Sequence, residues 1–238
     1  MTEPRATDLR DLLAAVKCVL LDFDGPVCQL FARHTAPAVA AELRDWIQQR
    51  FHDEVPVPEG SVDDPHAILS AADDRHRGSE LVGHLEELLT AEELRASVTA
   101  HPTKDANRLI RRLSAVGFRL AITTNNSASA VRSYLDREGL TDFFGEHVHG
   151  RMPDPRLLKP NPDCLRRALE TTGSTAEESL MIGDSPADYE AAKELGVRFL
   201  GYARNQAKRR RLEAVGEMLK VSSLGQLLDA VEPGLRVE

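Results

Sequence analysis

The sequence predicts an α/β protein: a doubly wound, Rossmann-like parallel sheet with an inserted all-helical domain. Three observations predict it. From residue 105 onward, apolar runs of strand length alternate with segments of helical period, the pattern of a parallel sheet wrapped by helices. A strand of the same kind stands far upstream, at residues 17–21. Between the two, residues 28 to about 103 carry helical stripes and no strand signal, as an insertion would.

Each element has its own reason. Lys17-Cys-Val-Leu-Leu21 is an apolar run that ends in Asp22-Phe23-Asp24-Gly25. Strand side chains alternate between faces, so Asp22 and Asp24 can share a direction only where the strand ends. Gly25 permits a sharp exit there. An acidic turn after a strand is the plain alternative. In the insertion, Val39, Leu43, Trp46, Ile47 and Phe51 form a helical stripe, and residues 55–60 (VPVPEG) form a turn-rich loop. Short helices are expected at 65–72, 80–89 and 91–98. Leu109, Ile110, Leu113 and Val116 give a helix over 105–116, with Gly117 as its stop. Strands are then expected at 118–124, weakly at 146–150, at 179–182 and at 197–202. Helices are expected at 127–137, 162–170, 186–195 (closed by Gly196), 207–215 and 224–231.

Composition narrows the function classes. The 238 residues are 42% hydrophobic and 29% charged, enough for a sizeable core. The net charge of −8 argues against a general polyanion binder, so no nucleic-acid partner is expected. The basic run Lys208–Arg211 reads as the solvated face of a helix. Cys18, Cys28 and Cys164 are scattered without a CxxC pair, which suggests neither a disulfide framework nor a zinc site. No stretch has the length of a signal or a membrane span, so a cytoplasmic protein is expected.

Three later segments bear on the first strand's carboxylates. Leu120-Ala-Ile-Thr-Thr-Asn-Asn126 is a strand ending in hydroxyls and amides, groups that can hold a phosphoryl oxygen. An ordinary turn capping the next helix is the alternative. In Leu157-Leu-Lys159-Pro-Asn-Pro-Asp163 two prolines restrain the backbone around a lysine, whose ammonium suits a phosphate and screens carboxylates. A solvated loop lysine explains the same pattern. Leu180-Met-Ile-Gly-Asp184-Ser-Pro-Ala-Asp188 is another strand ending in an acid, with a second Asp four residues on. Asp188 could equally be a first-turn helix charge. Together the segments bring four carboxylates to strand ends, where ligands bind in open α/β sheets. Like charges at ~4 Å repel by about 4 kcal/mol at an effective dielectric near 20. A divalent cation with oxygen ligands, Mg²⁺ above all, resolves that repulsion. The chemistry so assembled is that of phosphoryl transfer.

The ordered set DxDG, Thr-Asn at a strand end, Lys-Pro-x-Pro and Gly-Asp-Ser-x-x-Asp resembles the haloacid dehalogenase superfamily. It is similar to the phosphoglycolate phosphatase-like branch with a helical cap after the first motif. The resemblance implies a Mg²⁺-dependent phosphatase acting on a small phosphorylated metabolite through an aspartyl-phosphate. It implies a catalytic core of 1–27 and 104–238 and a helical cap domain of 28–103. By position, Asp22 would be the nucleophile, and Asp24 would protonate the leaving oxygen and then activate water. The backbone at Phe23 and Asp24, with Thr124, Asn125 and Lys159, would bind the phosphoryl group. Asp22, Asp184 and the Asp24 carbonyl would ligate Mg²⁺, with Asp188 orienting a metal-bound water.

The chain departs from the pattern at Pro26, where a Thr or Val with a backbone N–H is usual, and at Cys28-Gln29-Leu30. Within the superfamily, Asp24 disfavours carbon–halogen cleavage. A stretch 28–103 without lysine disfavours Schiff-base phosphonate cleavage. His34, twelve residues after Asp22, keeps a sugar-phosphate mutase as an alternative, against a plain helix-start histidine. A binding or regulatory protein on this fold would be expected to lack at least one of Asp22, Asp24, Lys159 or Asp184; all are present. The cap should select the ester, and its six arginines, mostly expected on the surface, offer a grip for a second anionic group.

Overall fold

The computed structural model describes residues 3–51 and 55–231. In chain order the elements are α1 (Ala6–Ala14), β1 (Cys18–Leu21), β2 (Cys28–Gln29), α2 (Ala36–Phe51), α3 (Pro65–His76), α4 (Glu80–Thr99) and β3 (His101–Pro102). Next come α5 (Ala106–Ala115), β4 (Arg119–Thr123), α6 (Ala128–Arg137), α7 (Thr141–Phe144), β5 (Val148–His149), a 3₁₀ turn (Pro155–Leu157) and α8 (Asp163–Thr172). The chain continues with β6 (Ser179–Gly183), α9 (Pro186–Leu195), β7 (Arg198–Tyr202), α10 (Gln206–Glu213), β8 (Leu219–Val221) and α11 (Leu224–Ala230).

Six strands form one parallel sheet in the order β5-β4-β1-β6-β7-β8. Each central strand is apolar on both sides, as a sheet covered twice must be. Val19 and Leu21 of β1 join Leu120, Ile122, Leu180 and Ile182 on the face covered by Leu9, Leu13, Leu113, Tyr134 and Leu227. Cys18 and Leu20 lie on the opposite face with Ala121 and Met181, under Leu165, Ala168, Ala191 and Ala192. The doubly wound α/β sheet expected from the alternating pattern is the fold observed. Because all six strands run the same way, the residues after β1, β4 and β6 emerge at one edge.

The segment between β1 and β4 packs its own apolar cluster from Val39, Leu43 and Ile47 of α2, Ile68 and Leu69 of α3, and Leu81, Leu85 and Leu89 of α4. Two expectations need correction there. The helices expected at 80–89 and 91–98 are one continuous helix, because nothing at Thr90 breaks the period. Its far end, at Ala96 and the following Ala100, joins the main core cluster. The segment also contains strands: Cys28 and Gln29 pair antiparallel with Pro102 and His101 where the chain leaves and re-enters the sheet domain. Two residues cannot display an alternating period, so only the long-range pairing reveals them. The same brevity hid β8, whose short run gives little periodicity.

Candidate active site

At the end of β1, the Asp22 N–H still bonds the Ile182 carbonyl at 3.0 Å, and then the chain turns. Gly25 holds φ at 139°, and a Cβ built there would lie 2.4 Å from Asp184 Oδ2. The turn therefore needs glycine both for its backbone and for room beside a carboxylate. Gly25→Ala is expected to lower the melting temperature and to abolish activity by pushing Asp184 aside; thermal melts and turnover assays check it. Thr103 Oγ1 donates to the Gly25 carbonyl at 2.6 Å and so ties the end of the helical segment to this turn. The Val27 and Cys28 N–H groups bond the Phe23 carbonyl at 3.2 and 3.0 Å, and the Gly25 N–H bonds the Cys28 carbonyl at 2.7 Å. Pro26 sits between these donors and breaks none of those bonds. The backbone N–H groups of Phe23 and Asp24 meet no acceptor among the described residues.

The carboxylates emerge close together but in different settings. Asp22, Asp184 and Asp188 are buried, and each places an oxygen within 4.8 Å of the others. The Asp24 side chain stands apart from that group, with Oδ1 accepting the Leu30 N–H at 2.8 Å. Burial raises the Asp22 pKa to about 7; Asp188 and Asp184 push it the same way, and the Lys159 ammonium opposes them. Burial likewise raises Asp24 to about 6, against the Leu30 hydrogen bond. It raises Asp184 to about 6, against Lys208.

Lys159 is the buried counter-ion. Its Nζ donates to Asp22 Oδ1 at 2.9 Å, to Asp188 Oδ1 at 2.5 Å and to the Thr123 carbonyl at 2.9 Å. Burial by itself would depress the ammonium, but Asp188 and Asp22 reverse that and raise its pKa above the ordinary lysine value. The Asn125 side chain fixes the lysine's backbone: Oδ1 accepts the Lys159 N–H at 2.8 Å and Nδ2 donates to the Lys159 carbonyl at 3.3 Å. That amide is committed to Lys159, and the Asn125 N–H meets no acceptor among the described residues. Thr124 Oγ1 donates to Asn126 Oδ1 at 3.0 Å and accepts the Asn126 N–H at 3.1 Å.

Asp188 is more than a charge in the first turn of α9. It forms a capping box with Ser185, and its Oδ2 accepts the Asp184 N–H at 3.2 Å, the Ser185 N–H at 3.0 Å and the Ser185 hydroxyl at 2.7 Å. A Cβ at Gly183 would fall 2.5 Å from Asp188 Cβ, so glycine before Asp184 lets strand and helix close this tightly.

These groups line a cleft of about 430 Å³, walled on the other side by Phe31, Ser61, Asp63 and His66 of the helical segment. It is also lined by two cations of the basic run 208–211, which was expected on a solvated helix face. Lys208 Nζ reaches Asp184 Oδ2 at 2.8 Å, and Arg211 lies one turn further along α10. Nothing local marks them; only the packing of α10 brings them to the site. The arginines of 28–103 do not line the cleft among the described residues. His34 does not line it either, and pairs instead with Glu92 Oε2 at 2.6 Å.

The wall also holds a buried ionic group that no local sequence pattern marks. Glu93 is fully buried and accepts from His66 Nε2 at 3.2 Å and Arg151 Nη1 at 2.8 Å. Burial would raise the Glu93 pKa, but Arg151 and His66 hold it down at about 2. Burial would lower His66, but Asp64 and Glu93 raise it to about 9. The signs follow from linkage. The raised His66 contributes stability fully present below its unfolded value near 6.5 and lost as pH rises through about 9. The lowered Glu93 contributes stability present above about 4.5 and lost as pH falls toward 2. The melting-temperature difference between wild type and His66→Gln is therefore expected to be largest near pH 5–6 and to shrink toward pH 9. A difference independent of pH would contradict it.

Residues 16–196 match the model of the haloacid dehalogenase-like hydrolase family. The chain is 35% identical over 130 residues to phosphoglycolate phosphatase of Rhodospirillum rubrum, an alignment covering 53% of this chain and 52% of that one. It is 30% identical over 196 residues to phosphoglycolate phosphatase of Neisseria gonorrhoeae, covering 78% and 79%. In structure it is similar to a predicted phosphatase from Clostridium acetobutylicum, with a TM-score of 0.66 at 16% identity over 91% and 98% of the two chains.

Proposed function

The chain belongs to the haloacid dehalogenase-like hydrolases, and on that basis we propose that it is a Mg²⁺-dependent phosphatase of a small phosphorylated metabolite. The observation that carries this reading is the pairing of two differently held carboxylates at one strand end: Asp22 on the Lys159 ammonium, Asp24 on a backbone N–H. The chemistry needs that division of labour.

With Oδ1 pinned by Lys159, the other Asp22 oxygen attacks phosphorus while the ester P–O bond breaks. Asp24, raised to about 6, gives its proton to the leaving oxygen. The aspartyl-phosphate so formed is hydrolysed when Asp24, now a carboxylate, takes a proton from water attacking phosphorus. That step returns the Asp22 carboxylate and releases inorganic phosphate. Backbone N–H groups of Phe23, Asp24 and Asn125 are available to the phosphoryl oxygens, whereas the Thr124 hydroxyl proton goes to Asn126 and the three Lys159 protons go to Asp22, Asp188 and the Thr123 carbonyl until a phosphoryl group competes for them. The all-oxygen donors of Asp22 and Asp184 and the Asp24 carbonyl suit a hard cation. Mg²⁺ held there would neutralise charge on the carboxylates and on the phosphoryl group. Asp188, whose oxygens already accept from Lys159, Ser185 and the Asp184 N–H, positions the lysine and the turn.

In this reading residues 28–103 are the cap and residues 1–27 with 104–238 the core. The relatives' names include a substrate whose leaving group carries a carboxylate, and Lys208 and Arg211 are cations that line the cleft beside Lys159 to meet such a group. The sugar-phosphate mutase alternative is less favoured, since the His34 that raised it is paired with Glu92 and does not line the cleft. Three buried free cysteines fit a reducing cytoplasm, and no helix among the described residues is long and apolar enough to cross a membrane. The test is phosphate release with Mg²⁺ across a panel of metabolite esters that includes carboxylated and bisphosphorylated members. Turnover of at least one ester, lost on chelation of Mg²⁺, is expected. No release from the panel or from p-nitrophenyl phosphate would defeat the proposal.

A further inference from the structure

We propose that Glu93, a residue of the helical segment, is a positioning residue for the loop Thr124–Ser127, so that the cap builds part of the phosphoryl half of the site. The inference rests on the phosphatase reading above and extends it. A cap that only selected the leaving group would not need to touch this loop.

The Glu93 carboxylate gathers four donors. Glu93 Oε1 accepts from Arg151 Nη1 at 2.8 Å, Asn126 Nδ2 at 3.0 Å and His66 Nε2 at 3.2 Å, and Oε2 accepts the Ser127 N–H at 2.8 Å. Two of the four donors belong to the loop. Ser127 caps α6, so the carboxylate also faces the positive end of that helix.

The consequence for Thr124 is directional. A carboxylate only accepts, so the Asn126 amide must present its NH₂ to Glu93 and its oxygen to Thr124. That oxygen takes the Thr124 hydroxyl at 3.0 Å, while the Asn126 N–H returns to the same hydroxyl at 3.1 Å. Glu93 thereby sets the amide, and the amide holds the Thr124 hydroxyl and with it the loop whose Asn125 N–H is left open at the cleft. Arg151 clamps the same loop: Nη1 also donates to the Asn125 carbonyl at 3.0 Å, and its backbone N–H to the Asn126 carbonyl at 2.9 Å. A Cβ at Gly150 would lie 2.6 Å from that Asn126 carbonyl, so the approach is as close as glycine allows. His66, on the cleft wall, is the cap's second hold on the carboxylate.

Glutamine at position 93 keeps the shape but turns one acceptor into a donor, which cannot satisfy four incoming N–H groups. The experiment is calorimetric titration of the Mg²⁺-loaded protein with inorganic phosphate, for wild type and Glu93→Gln, beside steady-state kinetics on p-nitrophenyl phosphate. The phosphate dissociation constant and KM are expected to rise by about tenfold, the cost of a disordered charge-assisted bond. Mg²⁺ affinity without phosphate is expected to stay unchanged. A merely structural role would lower the melting temperature and leave the phosphate affinity of the folded protein as it was; that result overturns the proposal. Should Glu93→Gln fail to fold, Asn126→Ala reads the same quantity with the Glu93–Arg151 pair intact, and an unchanged phosphate affinity there overturns it equally. A wild type that neither binds phosphate nor hydrolyses any ester defeats the phosphatase reading and this inference together, whereas a normal wild type with unaffected variants defeats the inference alone.

Discussion

Asp22→Asn is expected to reduce turnover by about 10⁴-fold or more, the scale seen when a nucleophile that works as part of a unit is removed. The protein should remain folded. The amide fills the same space at the end of β1 and can still accept from Lys159 at the position now held 2.9 Å away. Lys159 also keeps Asp188, 2.5 Å away. Stability should hold or rise at neutral pH. Burial lifts the Asp22 pKa from 3.8 to about 7, so the folded state holds the charged form at a cost that grows as pH climbs through that range. A neutral amide escapes the cost, and the gain over wild type should level off above about pH 7. Turnover of p-nitrophenyl phosphate and melts across pH measure both halves. Activity near wild type in Asp22→Asn would sink the mechanism.

Lys159→Met is expected to damage both activity and fold. The methionine is close in length but leaves Asp22 and Asp188 buried side by side without their shared cation. Removing one partner of a buried pair costs about 3–5 kcal/mol, most of it the stranded charge. The loss should grow as pH climbs through the range where the buried Asp22 carboxyl ionises, near 7, and should lessen in acid. Added Mg²⁺ should restore part of the melting temperature, because a divalent cation at Asp22 and Asp184 screens the same carboxylates. Turnover should fall by orders of magnitude even where Mg²⁺ restores the fold, since the oxygen of Asp22 is no longer pinned. Unchanged melting in metal-free buffer would show that Lys159 is not the counter-ion its geometry makes it.

The contrast between Asp22 and Glu93 shows how much of the site was legible in the chain. Asp22, Thr124 and Asp184 each follow an apolar strand run, and Lys159 sits between apolar residues and a proline pair, so local pattern points to all four. Glu93 lies inside an amphipathic helix and looks like any charge on it. Its donors come from residues 27 to 58 positions away. Lys208 has the same character: one basic residue in a basic run, assigned to solvent until the packing of α10 lays it against Asp184. The β2–β3 ribbon was hidden because two residues show no period, and α4 was divided at Thr90 although no breaker stands there.

The sequence by itself determined the doubly wound α/β fold, the family, and which acids and which lysine gather at the sheet's edge. A parallel sheet sends the ends of its strands to one side, so motifs that close strands must meet. The tertiary structure alone decided how those groups are held: Asp22 on Lys159, Asp24 on Leu30, Asp188 in the turn of α9, and the loop of Thr124 on a carboxylate from the helical segment. Periodicity and capping are written in neighbouring residues, whereas a buried charge is set by whatever the fold packs against it.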